Sequence, residues 1–420
     1  MIHGSRATAA ELARVAPRWL GALLAGALAW LPATGCGDGD DRSNTSEAVP
    51  VAGAAGAPMA DSGSGAAAAG TAGTAAEDDS GCAVSCRESE VCLLGVCVDD
   101  CDDRSDLASI AEGLAHGVRL VARVCGDGSV VDTGREPTSG RVVAYELTST
   151  PVPVGSVLEL RRWLIEATMT RPESQVVGQH TVFSADPVYP SDFAVLAEGL
   201  YGVGVALGYT TGAAGFPGRL VLIGPETASL SIEAAANHDL VAVEQDAWLL
   251  ATSEFGGRQQ AALYWVRRLG GVLISAPVAT GFGVFSGSVA LAPDRNTVFV
   301  GGYSAEGPRV YAVPLTALRN AADGIEGVLD LQGRDDVSSV QASSSRFDVL
   351  SDGRLLLKYQ TEGGHELLID VARPSAEPGQ FALVNTSQLA RSAELHGAFP
   401  AGEHVLLSWA SSRTLVAGGE

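Results

Sequence analysis

The sequence predicts an all-β protein whose C-terminal three-quarters, residues 105–420, is a β-propeller of six or seven blades. Three observations carry this expectation: apolar runs come in pairs separated by turn residues, the pairs recur at about 50 residues, and the runs are apolar on both alternating faces.

The pairs are "TVFVGGY" with "RVYAVPL" from Thr297, "RLLLKYQ" with "ELLIDV" from Arg354, "WLLATSEF" with "AALYWV" from Trp248, and "HVLLSWA" with "RTLVAGGE" from His404. Two more fit with longer loops, "VGVALGYT" with "RLVLIG" from Val203 and "VRLVARVC" with "RVVAYELT" from Val118. Each reads as a hairpin, and in four of the six the second strand opens on an arginine: Arg141, Arg219, Arg309 and Arg413. A third apolar run ending in a turn precedes most of them ("FAVLAEG", "LVAVEQDA", "SVALAPDRN", "FDVLSDG"). Successive starts lie 85, 45, 49, 57 and 50 residues apart, the first gap being one long or two compact units. In "RVVAYEL", Val143, Tyr145 and Leu147 share one face while Val142 and Ala144 share the other, as a blade between two neighbours requires. A pair of β-sandwiches ranks second, because sandwiches do not force a recurring unit. Helix is scarce, and Leu315 to Ala322 is the best candidate.

"LAPDRNTVFVGGY" (Leu291 to Tyr303) resembles the strand-turn-strand signature of TolB-type bacterial propellers, and "LSDGRLLLKYQ" resembles it with Ser in place of Pro. The resemblance implies the fold and transfers no activity.

At the N-terminus, Arg6, Arg14 and Arg18 against Glu11 precede "WLGALLAGALAWL" (Trp19 to Leu31), an uncharged apolar run too short to span a bilayer comfortably. Residues 1–35 therefore read as a signal peptide. "ATGC", Ala33 to Cys36, resembles the lipobox of bacterial lipoproteins, with Ala33 where that family favours leucine. The resemblance implies that Cys36 is lipidated and anchors the chain to a membrane. Several acyl chains make the anchor lasting, at ~0.8 kcal/mol per buried methylene. Gly37 after the cysteine, rather than Asp, implies the outer membrane in the enterobacterial sorting pattern.

Residues 36–81 are almost wholly Gly, Ala, Ser, Thr, Asp and Glu, a composition too poor in large apolar groups to fold, so a disordered linker is expected. As a Gly-rich coil it reaches about 35–40 Å. Residues 82–104 then form a small module with Cys82, Cys86, Cys92, Cys97 and Cys101, and Cys125 follows. Six cysteines in an exported chain predict three disulfides with 15 pairings open, a Cys101 bridge being one choice for Cys125. The spacing resembles EGF-like or Dickkopf-like cysteine-rich segments. Zinc is the rival reading, although zinc ligands usually come as C-x2-C pairs. Asp99, Asp100, Asp102, Asp103 and Asp106 read as a solvated acidic loop, with calcium binding the alternative.

The formal charge is −22, and about −24 once the first 35 residues are removed, which disfavours nucleic acid as a partner. Lys358 is the single lysine. The seven histidines show no metal-ligand spacing, and no nucleophile elbow, phosphate loop or dinucleotide fingerprint is present. One constellation recurs: the turn expected to join the second and third strands of a unit holds an acid in five units, Glu198, Asp246, Asp294, Asp352 and Glu403. Such turns gather on one rim of a propeller, so the acids either form a cation or ligand ring, calcium being the cofactor it would suit, or serve only as tight-turn residues. The expected role is a lipid-anchored cell-envelope module that binds or scaffolds an envelope protein or glycan. The alternative is a propeller enzyme, a hydrolase, lactonase or lyase, with its metal or acid-base site on that rim.

Overall fold

The computed structural model describes Cys82 and residues 85–418, apart from segments 102–103, 126–129, 136–140, 166–174, 185–187, 196–204, 212–217, 224–227, 233–234, 245, 255–260, 270–271, 284, 305, 362–364, 378–379 and 411. The expected signal peptide, Cys36, the 36–81 linker and Glu198 lie outside the described residues.

The module opens with an antiparallel hairpin, β1 (Glu90–Leu93) and β2 (Val96–Asp99). Its turn residues Leu94 and Gly95 both take positive φ, the geometry whose twist suits a two-residue hairpin turn. Disulfides join Cys82 to Cys92 and Cys86 to Cys97 within the module, while Cys101–Cys125 leaves it. Helix α1 (Ser105–Gly113), which the apolar pattern did not reveal, leads into β3 (Arg119–Cys125).

The remaining strands form six sheets. Sheet I holds β4 (Val130–Arg135), β5 (Val142–Val152), β6 (Gly155–Leu164) and β7 (Gln175–Val182). Sheet II holds β8 (Val188–Val195), β9 (Val205–Thr211), β10 (Gly218–Ile223) and β11 (Ala228–Ile232). Sheet III holds β12 (Ala235–Glu244), β13 (Ala247–Glu254), β14 (Ala261–Leu269) and β15 (Val272–Thr280). Sheet IV holds β16 (Phe285–Leu291), β17 (Thr297–Ser304) and β18 (Gly307–Pro314); helix α2 (Leu315–Ala322) follows, then β19 (Leu329–Asp330), which leaves for sheet III, and β20 (Ser338–Gln341), which completes sheet IV. Sheet V holds β21 (Arg346–Val349), β22 (Leu355–Gln360), β23 (Leu367–Glu377) and β24 (Gln380–Ser392). Sheet VI holds β25 (Leu395–Ala401), β26 (His404–Trp409), β27 (Ser412–Ala417) and, as its fourth strand, β3.

The first strands pack in a circle: β4 on β8, β8 on β12, β12 on β16, β16 on β21, β21 on β25, and β25 back on β4. That is a propeller-like ring, and two sandwiches would not close this way. Against the expected six or seven blades, five sheets have the four-stranded blade form. Sheet III departs from it because β19 adds in parallel to β15 at Ala279 and Thr280.

Five of the six expected hairpins form as read. The sixth, from Val118, does not. Strand β3 pairs with β27 in antiparallel register from Cys125↔Ser412 to Arg119↔Ala417, and β5 takes β4 as its neighbour instead. Locally β3 and β5 are both good strands separated by turn residues, and only the open edge of β27 decides between them.

Burial on both faces is plain along β13, where Trp248, Leu249, Leu250 and Ala251 are each fully buried. Separate apolar clusters fill the seams: Trp265, Phe282, Val300 and Leu318 between sheets III and IV, Phe299, Phe347, Leu357 and Phe381 between IV and V, and Ala144, Trp163 and Leu406 between VI and I. A fourth cluster joins Leu93 and Val98 of the module to Ile110 of α1 and to Leu389, Trp409 and Val416 of sheets V and VI. The module is thereby part of the ring's core.

Asp106 is a correction to the solvated-loop reading. Its carboxylate is wholly buried, accepts from Arg123 Nη2 at 2.5 Å and from Ser412 Oγ, and so bridges α1, β3 and β27. Arg123 also donates to Ser412 Oγ at 3.1 Å and to the Asp99 carbonyl at 2.7 Å. Neither atom of this pair is offered to calcium. Asp100, by contrast, is a surface partner of Arg104.

Removing one member of a buried pair strands the other charge, at about 3–5 kcal/mol. Asp106→Ala should therefore lower unfolding free energy by about that amount in urea titration, whereas Asp106→Leu with Arg123→Met should recover most of it. Equal losses in the single and the double variant would show that the pair's charge is not what matters.

Candidate functional site

The first strands enclose the ring's axis, where a cavity of about 360 Å³ is lined by Thr133 and Gly134 of sheet I, Leu240 to Ala242 of III, Val289 to Leu291 of IV, Asp348, Val349 and Ser351 of V, and Pro400 and Gly402 of VI. Among the described residues, Asp348 is the only charged side chain in this lining. It is ion-paired at 2.5 Å with Lys358, which lies diagonally across the β21–β22 ladder. The lysine also donates to the Ala398 carbonyl at 3.4 Å and sits 5.4 Å from the Phe399 ring centroid, so the chain's single ammonium joins sheets V and VI.

Other polar groups near the axis do the same. Asp239 of sheet III accepts from Ser288 Oγ and, at 2.8 Å, from Val289 N of sheet IV. Ser288 Oγ accepts from Phe347 N of sheet V at 3.3 Å. Ser351 donates to the Gly402 carbonyl at 2.6 Å, and Thr133 donates to the Pro400 carbonyl. Seams III/IV, IV/V, V/VI and VI/I are thus each crossed by side-chain hydrogen bonds beside the cavity. A first strand has one ladder edge unpaired, facing the axis, and these groups satisfy part of that edge.

Register shifts in the first strands help to present them. Bulges fall between Ala236 and Asp239, between Phe285 and Ser288, and between Leu395 and Gly397. An extra residue there re-aims the next side chain toward the neighbouring sheet, which is where Asp239 and Ser288 bond.

The four described turn acids, Asp246, Asp294, Asp352 and Glu403, each lie in the connection between the first and second strands of a sheet, not the second and third, because the run ahead of each hairpin is the sheet's edge strand at the axis. Asp294 accepts from Asn296 N at 2.9 Å and Thr297 N at 3.1 Å, closing its own turn. Asp352 accepts from Arg354 N at 3.1 Å and Nε at 2.7 Å, and Gly353 takes the positive φ its turn needs. Asp246 pairs with Arg268 at 3.1 Å, and Glu403 is exposed in the β25–β26 turn. Arg295, itself at positive φ, donates to the Val243 carbonyl at 2.7 Å. On the rim, then, Asp246 and Asp352 are each ion-paired with an arginine, while Asp294 is spent on its own turn. "SDGR" already carried the Asp352 pair, the arginine standing two places after the acid.

The cysteines are oxidised in pairs. Sγ atoms of Cys82, Cys86 and Cys97 lie within 4.8 Å of one another, the only such group of His, Cys, Asp or Glu ligand atoms among the described residues. Their proximity comes from two neighbouring disulfides, which leave no thiolate for zinc.

Two ionisable groups that pattern reading missed meet between sheets IV and V. Tyr359 donates to Asp370 Oδ2 at 2.9 Å, and Asp370 lies on the face of sheet V that carries Leu357 and Ala372. Burial pushes the Asp370 carboxyl above its ordinary range, the Tyr359 hydroxyl offsetting this in part. Burial, then the bond to Asp370, pushes the Tyr359 phenol up to about 12. At about 12, the Tyr359 phenol is out of range for proton transfer near neutrality. Sequence offered no sign of them, since both stand in ordinary strand positions.

The folded chain thus binds the Asp370 proton more tightly than the unfolded one. Its stabilising contribution is complete below the usual carboxylate range and is lost as pH rises through the raised folded value. Asp370→Asn keeps an acceptor for Tyr359 and removes the titration, so it should be more stable than wild type at pH 7, the gap closing toward pH 4. Urea midpoints across that range test it, and a gap independent of pH would refute it.

No protein-family model matches this sequence, and no curated protein matches it. Among solved structures, the chain is similar to TolB from Acinetobacter baumannii at 13% identity and TM-score 0.36, over 70% of this chain and 65% of that one, a little under two thirds of TolB's length. It is similar to a gluconolactonase from Xanthomonas campestris at 13% identity and TM-score 0.35, over 71% and 97%. A protein of unknown function from Dyadobacter fermentans matches at 10% identity and TM-score 0.42, over 72% and 100%.

Proposed function

We propose that the chain is an exported lipoprotein, held at the outer membrane by acyl groups on Cys36, whose six-sheet ring binds or scaffolds an envelope protein or glycan. The observation that favours binding over catalysis is the channel wall. Among the described residues its one charged side chain, Asp348, is neutralised by Lys358, and Ser351 and Thr133 donate their hydroxyl protons to carbonyls of sheet VI. A catalytic centre instead holds an acid, base or nucleophile with a strained or unmet demand. The exported address is favoured by three disulfides, which persist in oxidising compartments. The net charge of −22 turns nucleic acid away.

On this reading the partner meets the outer surfaces of the ring, including the rim that carries the turn acids. The rim acids act as turn formers, and calcium is not a required cofactor.

Cys36→Ala in the full chain should move the protein from the membrane to the soluble fraction and abolish acyl labelling; membrane retention of the variant would sink the anchor. The soluble fragment from Ser80 onward should capture a specific partner from envelope extract and contain no stoichiometric metal. Bound metal, with no partner captured, would favour the enzyme reading, and a calcium-dependent thermal shift would restore the acidic ring.

A further inference from the structure

The three disulfides are not equivalent. Cys82–Cys92 and Cys86–Cys97 stay inside the module, whereas Cys101–Cys125 joins the module's exit to the last residue of β3, the strand that completes sheet VI. That strand reaches the sheet from the opposite end of the chain, and pairing with β27 is its only ladder. The ties that hold it converge on one place. Arg123 is buried against Asp106 and the Asp99 carbonyl, Ser412 donates to Asp106, and Leu120 packs with Leu93 and Val98 of the module. Helix α1 is fixed to sheet V through the bridge of Leu114 with Ala390 and the bond from Ala115 N to the Leu389 carbonyl.

We propose that Cys101–Cys125 is a redox-sensitive clasp that governs whether β3 stays in the ring. In the oxidised chain, module, α1 and β3 form one cross-linked unit seated on sheets V and VI. Cys125 is partly exposed while Cys101 is buried, so a dithiol reductant attacks the Cys125 sulfur and Cys101 leaves as a thiolate. The second thiol of the reductant then displaces Cys125. Two electrons pass to the protein, which ends with two protonated thiols, and the reductant ends as a cyclic disulfide. Without the cross-link, β3 is held by its pairing with β27, the Asp106–Arg123–Ser412 group, the Arg123 bond to the Asp99 carbonyl and the packing of Leu120, with no covalent tie to the module's exit. It opens locally and exposes the edge of β27, while sheets III and IV, whose core among the described residues is separate from the cluster that holds the module, remain closed.

Hydrogen exchange on the full chain reads this directly. In Cys101→Ser with Cys125→Ser, amides of Arg119–Cys125 and those of Ser412–Ala417 that bond to β3 should exchange roughly 300-fold faster, the order expected for freeing a loop of this length. Amides of β16 to β18 should be unchanged, and Cys82→Ser with Cys92→Ser should leave β3 and β27 protected. Should the first variant fail to fold, dithiothreitol added to the oxidised native protein gives the same readout, with β3 and β27 opening before the rest. Unchanged protection of β3 and β27 after confirmed reduction overturns the clasp. Loss of protection in every sheet at once also overturns it, since the bridge would then be a global staple.

Discussion

Ring closure by β3 is the constraint on which the structure depends. A circular array of sheets with one missing strand would leave the edge of β27 open to any passing strand. The chain supplies the missing strand from its other end, across nearly three hundred residues, so no local preference selects it. Selection comes instead from ties that only the assembled molecule provides. The Cys101–Cys125 bridge and the buried Asp106–Arg123–Ser412 group make the cysteine-rich module part of the closure.

The same geometry explains the axis. Each first strand turns a bare edge toward the channel, where six edges meet and backbone groups outnumber partners. Asp239, Ser288, Lys358, Ser351 and Thr133 answer this by bonding across the seams, and bulges aim two of them. Apolar seams supply most of the burial, but they are non-directional. The polar bonds near the axis are directional and tie sheet III to IV, IV to V, V to VI and VI to I at fixed points.

Legibility in the sequence followed the range of the interaction. Hairpins from Trp248, Thr297, Arg354 and His404 were readable because each joins two runs that are apolar on both faces across a few turn residues. Helix α2 was readable from one apolar stripe that buries Leu315, Leu318 and Ala321. Helix α1 was not, because "SDLASIAEG" buries an aspartate and has a weak stripe. The pairing of β3 with β5 failed for the reason already implicit in strand chemistry: a strand carries no label for its partner beyond register and turn length. At the candidate site, the rim acids were visible by recurrence; beyond Asp352 with Arg354 their partners were not, since Asp246 finds Arg268 across a ladder and Arg295 bonds to the Val243 carbonyl of the next sheet. Tyr359 with Asp370, and Lys358 with Asp348, were not, since each pair is made by cross-strand register.

What the sequence determined by itself was therefore the repeating unit: all-β hairpins of about 50 residues, apolar on both faces, preceded by a cysteine-rich module. These follow from periodicity and turn chemistry, which act over a few residues. Tertiary structure alone decided which strand closes the ring, which cysteines pair, that Asp106 is a buried structural anion, and that the channel's polar groups hold sheets together. Each of those depends on groups distant in the chain meeting where water is excluded, and there the cost of an unpaired charge or backbone edge, rather than local propensity, selects the partner.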